Sequence, residues 1–199
     1  LITTNYMKRY TEECRDQGAA SYRRFIDGER DAFGEIVDLY RESLIFFIHR
    51  YVNDMDTAED LAEDVFVELI VHPERFGEKS SLKTYVFAIA RNKAIDWIRR
   101  HSRLRMAPME TAETQADLLS LEQKILDNEE KRQLAEAMDA LKAEYRIALH
   151  LVYFEGLSYE ETGKIMKKGR KQVENYVYRG KRALREILEE RGHSRENKR

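Results

Sequence analysis

The chain has 199 residues, 42% of them hydrophobic and 36% charged, a composition that suits helical globular structure and a length that allows two small cores. Its 35 Lys and Arg against 37 Asp and Glu leave a net charge of −2, so the overall balance gives no sign of a nucleic-acid partner and the distribution of charge has to decide. Cys14 is the only cysteine, which excludes an intrachain disulfide framework or a cysteine-rich zinc site and points to a reducing compartment, the cytoplasm.

Residues 1–20 read as an N-terminal extension whose first six precede Met7. Phe25, Ile26, Phe33, Ile36, Val37 and Tyr40 then recur at helical spacing, as do Leu44, Phe47, Ile48 and Tyr51, and again Leu61, Val65, Phe66, Leu69 and Ile70. The most apolar run, Leu44 to Val52, contains His49 and Arg50 and falls far short of the roughly 20 residues of a membrane span. Pro73 and "FGEKSS" interrupt the pattern, and Leu82, Val86, Ile89, Ile95 and Ile98 resume it in a helix expected to last about five turns. Periodicity fades after Ser102 around Pro108, which predicts a linker over 103–120. Helical spacing returns from Ile125 and continues to a polar tail over 192–199. The expectation is an all-α chain of two small helical domains, 21–102 and 121–191, joined by a flexible linker.

The charges are segregated. Asp54 to Glu68 carries seven carboxylates and no Lys or Arg, whereas Arg91, Lys93, Arg99, Arg100, Arg103 and Arg105 are accompanied only by Asp96. A third block, Lys164 to Arg185, is basic apart from Glu174. Each domain therefore carries a basic face.

Within "GLSYEETGKIMKKGRKQVENYVYRGKRALREIL" (Gly156 to Leu188), Ser158 and Glu161 form a capping-box pattern, and Gly163 and Val173 stand at helix-turn-helix spacing. Thr162, Met166, Val173 and Tyr176 are expected to pack the two helices, leaving Arg170, Lys171, Glu174, Asn175 and Tyr178 to face a major groove. A helical hairpin with a solvated charged face has the same periodicity; the capping box and one-sided charge favour DNA. Lys167 occupies the turn position where glycine most cheaply accepts positive φ. In the first domain, "SSLKTYVFAIARNKAIDWIRR" sets Tyr85, Phe87 and Trp97 among cations, the chemistry of single-strand binding. Phe87 reads better as a core anchor.

"TAEDLAEDVFVELI", "RFGEKSSLKTYVFAIARNKAIDWIRR" and "LSYEETGKIM…VENYVYRGKRAL" together resemble bacterial RNA polymerase sigma factors of the extracytoplasmic-function (ECF) group, over roughly Tyr22 to Glu190. The resemblance implies region 2 followed by region 4. It implies contact between the acidic helix and the polymerase β′ subunit through Asp60, Leu61, Glu63, Asp64 and Phe66, with β as a further partner. It implies that Phe76 to Thr84, with Lys79, Ser80, Ser81 and Lys83, and then Arg91, Asn92, Asp96, Arg99 and Arg100, melt and read the minus-ten element. Arg170, Lys171, Glu174, Asn175, Tyr178, Arg179 and Arg182 would read the minus-thirty-five element. Glu63 stands where many members have Gln, and "QVENYVYR" replaces a frequent Thr-Val-Lys-Ser-Arg pattern, so promoter sequence does not transfer.

A homodimeric helix-turn-helix regulator would account for the second domain but leave the first without a role. Five scattered histidines, no Gly-rich phosphate loop and no His near Cys14 argue against an enzyme, and no cofactor or metal is expected. The group's usual control implies an anti-sigma partner. The N-terminal extension and polar tail carry too little apolar content to mask two domains, so inhibition in trans is the expectation.

Overall fold

The computed structural model describes residues 18–104 and 129–196, so the N-terminal extension up to residue 17 and nearly all of the expected linker lie outside the described residues. Every regular element among them is helical. The first unit comprises α1 (18–26), α2 (Ala32–Val52), α3 (Met55–Val71), a 3-10 turn (Pro73–Arg75) and α4 (Leu82–Leu104). The second comprises α5 (Glu129–Asp139), α6 (Ala143–Leu149) running into a π turn (His150–Phe154), α7 (Tyr159–Met166) and α8 (Arg170–Glu196).

Two residues turn α2 into α3. Asn53 adopts the left-handed conformation (φ 55°) and returns its N–H to the His49 carbonyl, while the Asp54 carboxylate accepts the Thr57 N–H at 2.8 Å. The helices fold back on each other and bury Ile36, Leu44, Phe47 and Ile48 of α2 against Ala58, Val65 and Leu69 of α3. α4 closes the unit with Leu82, Val86, Phe87, Ala90 and Ala94, so Phe87 is the expected core residue. Tyr22 of α1 is fully buried and donates its hydroxyl to the Leu69 carbonyl at 2.8 Å. Burial, with smaller help from Tyr85 and Glu74, pushes that hydroxyl up to about 12. α4 outlasts the expected domain end at 102 by reaching Leu104, and α8 passes residue 191 to reach Glu196.

In the second unit α6 crosses α8 at Gly180, where a Cβ would stand 3.1 Å from both Leu149 Cδ1 and Tyr145 Cβ. Helical spacing did not announce the π turn. Glu155 N–H reaches the His150 carbonyl at 3.1 Å and Leu157 N–H the Leu151 carbonyl at 3.0 Å, which swings Glu155 inward.

The two units are packed on each other, an arrangement the sequence left open. Their buried side chains join in one cluster, with the Phe47 and His150 rings 5.9 Å apart across the seam. At one edge Arg50 pairs with Asp139 at 2.6 Å, and Arg146 donates to the Arg50 carbonyl at 2.9 Å. At the other, Lys83 of α4 meets the Glu155 carboxylate at 2.8 Å and donates to the Glu155 carbonyl at 2.9 Å, while His150 Nε2 lies 3.3 Å from the other carboxylate oxygen.

Gly163→Ala is expected to strain the helix-turn-helix, because a Cβ there would lie 2.6 Å from the Lys168 carbonyl oxygen. Thermal melting should show a loss of about 1–3 kcal/mol, the usual penalty of overpacking. Glu155 supplies a pH test. Burial pushes its carboxyl up, but the adjacent His150 ring and the Lys83 ammonium outweigh burial and hold it at about 2, below the ordinary 4.5. A depressed folded value stabilises above the unfolded one, so this contribution is complete above pH 4.5 and is lost as pH falls toward 2. Urea midpoints should decline through that window, and less steeply for Glu155→Gln.

Candidate nucleic-acid and polymerase interfaces

The helix-turn-helix is built as its residues require. Ser158 Oγ accepts the Glu161 N–H at 3.3 Å while the Glu161 carboxylate accepts the Ser158 N–H at 2.9 Å, completing the capping box. Lys167 takes the left-handed position (φ 55°) despite its side chain, and the Gly169 carbonyl receives the first bonds of α8 from Gln172 and Val173. Thr162, Met166 and Val173 are buried between the helices and Tyr176 is half-buried. Arg170, Lys171, Glu174, Asn175, Tyr178, Arg179 and Arg182 are all exposed, Tyr178 by 70%. Glu160 holds Arg170 at 2.9 Å, and Gln172 donates to the Tyr176 hydroxyl at 2.7 Å. The face is cationic with one aromatic ring in solvent, which can meet both phosphates and base edges.

The loop before α4 is anchored by Phe76, whose ring lies 5.6 Å from Tyr22 and 5.3 Å from Tyr85. Ser81 starts α4 by accepting the Thr84 N–H at 3.2 Å. The residues expected to read the minus-ten element divide into two faces. Lys79, Asn92, Asp96, Arg99 and Arg100 are exposed, with Arg99 and Asp96 3.5 Å apart. Ser80, Ser81, Lys83 and Arg91 are not fully open: Lys83 is 14% exposed in its pair with Glu155, and Arg91 lines the seam with Ile147, Met166 and Lys168. Trp97 is half-buried and stacks on His101, 3.9 Å between ring centres.

The acidic helix α3 also divides. Asp60, Glu63 and Asp64 face solvent, with Lys93 3.8 Å from Asp64. Leu61 and Phe66 are 8% and 7% exposed and belong to the core, Phe66 edge-on to Phe33, so they support the surface from beneath. The apolar side chains that do reach solvent are Val67 and Val71, 54% and 58% exposed, and Ile70, which periodicity had assigned to the buried set. Helical spacing contains the signal that finds two of them: residues 60, 63, 64, 67 and 71 recur at three- and four-residue intervals on one face. That face runs from carboxylates into valines.

Among the described residues no group of three His, Cys, Asp or Glu side chains is placed to hold a metal ion, and no helix is long and apolar enough to cross a membrane.

Comparison with known proteins gives these surfaces a context. The family model of sigma-70 region 2 matches residues 36–104 and that of sigma-70 region 4 matches residues 131–184. The ECF RNA polymerase sigma factor SigX of Bacillus subtilis (strain 168) is 27% identical over 164 residues, 80% of this chain and 84% of the relative. SigW of the same organism is 28% identical over 170 residues, 81% of this chain and 91% of the relative. Two solved folds are alike. The sigma factor RpoE in complex with the anti-sigma factor NepR from Bartonella quintana has a TM-score of 0.63 at 24% identity, covering 79% of this chain and 96% of that one. CnrH in complex with the cytosolic domain of CnrY has a TM-score of 0.60 at 20% identity, covering 88% and 96%. The region 2 match supplies the first unit with the role that a stand-alone dimeric regulator leaves it without. The chain belongs to the ECF group of RNA polymerase sigma factors, non-enzymatic polymerase subunits that direct promoter recognition, and is built from sigma-70 regions 2 and 4.

Proposed function

We propose that this sigma factor holds core polymerase through the exposed face of α3, reads the melted minus-ten strand with the 76–84 loop and α4, and docks the first turns of α8 in the minus-thirty-five major groove. The observation that carries the reading is the graded face of α3, where Asp60, Glu63 and Asp64 lead into exposed Val67 and Val71. Carboxylates steer a basic partner surface, and desolvated valines supply affinity. Leu61 and Phe66 take part by fixing the helix.

On α4, Asn92, Arg99 and Arg100 offer a donor-rich edge to an extruded base and its phosphates, while Asp96 holds Arg99 in place. On α8, Arg170, Lys171, Arg179 and Arg182 suit phosphates, and Glu174, Asn175 and Tyr178 suit base edges and a thymine methyl. The linker beyond Leu104 carries Glu110, Glu113 and Asp117, a charge pattern suited to a basic polymerase channel. RpoE and CnrH were each solved with a protein partner, an anti-sigma factor for RpoE and the cytosolic domain of CnrY for CnrH; by likeness this chain takes an anti-sigma partner as well. Its workplace is the cytoplasm, with the polymerase.

Reversing Asp60 and Asp64 to Lys should abolish core-polymerase binding while circular dichroism stays near wild type. Val67→Asp should weaken the same complex by about tenfold or more, as expected for a desolvated interface position, with no fall in melting temperature; unchanged affinity would remove α3 from the polymerase contact. For the minus-thirty-five face, Arg179→Ala should weaken all duplexes evenly and flatten the salt dependence by about one unit of slope. Asn175→Ala should instead relax selectivity at one base pair in a promoter selection.

A further inference from the structure

Four cations converge on one cleft of about 330 Å³: Arg50 from the last turn of α2, Arg91 of α4, Arg146 of α6 and Lys168 of the turn after α7. Its apolar wall comes from Ile98, Ile147 and Met166, the last two 5% and 6% exposed. Glu144 contributes a carboxylate to the lining.

The cations are held in place without being neutralised. Arg50 pairs with Asp139 at 2.6 Å, and the same carboxylate serves Arg146 from 4.0 Å. Arg146 also donates to two carbonyls, those of Asp139 at 3.0 Å and Arg50 at 2.9 Å, which engages its donors and leaves its charge. Burial pushes that guanidinium below its ordinary range; Asp139 offsets part of the push and Arg50 adds to it. Arg91 bonds the Tyr51 hydroxyl, which burial pushes up, so the hydroxyl stays neutral and gives Arg91 no counter-charge. Lys168 is exposed, and its backbone is fixed by the bond from its N–H to the Gly163 carbonyl at 2.9 Å. Set against Asp139 and Glu144, the four cations leave an excess of two positive charges.

We propose that this cleft binds a phosphate monoester, its dianionic phosphate among the cations and a small apolar or aromatic remainder against Ile98, Ile147 and Met166. A phosphate monoester carries about −1.5 to −2 charges at pH 7, which matches the excess; a carboxylate or a phosphodiester brings one charge and leaves half of it standing. Guanidinium groups suit phosphate oxygens because their N–H donors lie in a flat fork that can meet two oxygens at once. Arg50 and Arg146 are already ordered by Asp139 and by backbone carbonyls, so binding does not have to freeze two long side chains. The volume lies at the small end of the roughly 300–1,000 Å³ of ligand sites, enough for a phosphate and one ring. Arg50, Arg146 and Lys168 lie outside the surfaces proposed above for polymerase and DNA.

The test titrates the full chain by isothermal calorimetry, in about 0.15 M salt, with phenyl phosphate, inorganic phosphate and benzoate. Phenyl phosphate should bind at a single site with a Kd of about 1 mM or less, and benzoate, which keeps the ring but carries one charge, about tenfold more weakly. Inorganic phosphate should bind more weakly than its phenyl ester, because it leaves the apolar wall uncovered. Lys168→Ala should weaken phenyl phosphate about tenfold, the usual effect of losing a charged hydrogen-bond partner. Glu144→Gln should strengthen it, since a like charge leaves the cleft. Both residues are exposed, so circular dichroism should stay at wild type. Lys164→Ala, which removes an exposed cation of α7 outside the cleft, should change nothing.

No saturable heat up to about 10 mM phenyl phosphate, or an equal affinity for benzoate, overturns the proposal. Unchanged affinity in both Lys168→Ala and Glu144→Gln moves the binding to another face and overturns it too. An equal loss from Lys164→Ala does the same by assigning the effect to overall charge. If inorganic phosphate binds as tightly as its phenyl ester, the organic remainder is overturned and the ligand is free phosphate.

Discussion

A carboxylate buried between two domains governs the rest of this structure. Taking Glu155 out of water is costly, and the cost is met only because an ammonium from one domain and an imidazole from the other stand against it. Neither domain could hold that charge alone in the same geometry. The π turn at His150–Phe154 aims Glu155 inward, the start of α4 places Lys83, and Phe47 and Phe87 close the apolar wall. A buried ion pair of this kind adds little net stability compared with an apolar contact of the same volume. Its consequence is a specific docking geometry that is easily undone by a competing partner for Lys83.

The same reasoning explains why the domain surfaces are unequal. The proposed reading face of α8 and the graded face of α3 are exposed, and each is supported from beneath by packed residues: Val173 and Val177 for the former, Leu61, Val65 and Phe66 for the latter. Rigid support lets short side chains present fixed positions. The proposed minus-ten surface is split down α4, where Asn92, Asp96, Arg99 and Arg100 lie outside and Ser81, Lys83 and Arg91 inside. A helix carrying chemistry around more than half its circumference cannot show all of it to solvent while packing on two sides.

Fold and function are coupled here through small residues and turns. Gly163 admits the Lys168 carbonyl and Gly180 admits Leu149 and Tyr145, so the second unit is narrow enough for one carboxylate to cap α7 and still reach α4. Lys167 pays for the tight turn with a left-handed backbone, which the two N-terminal bonds of α8 at the Gly169 carbonyl help to hold.

Local chemistry was legible in the sequence. Ser158 and Glu161 make a capping box and the 3.6-residue period finds the helices, because caps and amphipathic faces depend on residues within a few positions of one another. The period also contained the graded α3 face, although a division into one apolar and one acidic side put Ile70 on the wrong one. The domain seam could not be read in this way. Lys83 and Glu155 are 72 positions apart and Arg50 and Asp139 are 89 apart, and nothing in the local pattern of either distinguishes a solvated charge from a buried one. Only the tertiary fold, by bringing α4 against α7 and Phe47 against His150, decided which of the many carboxylates is desolvated and which cations it holds.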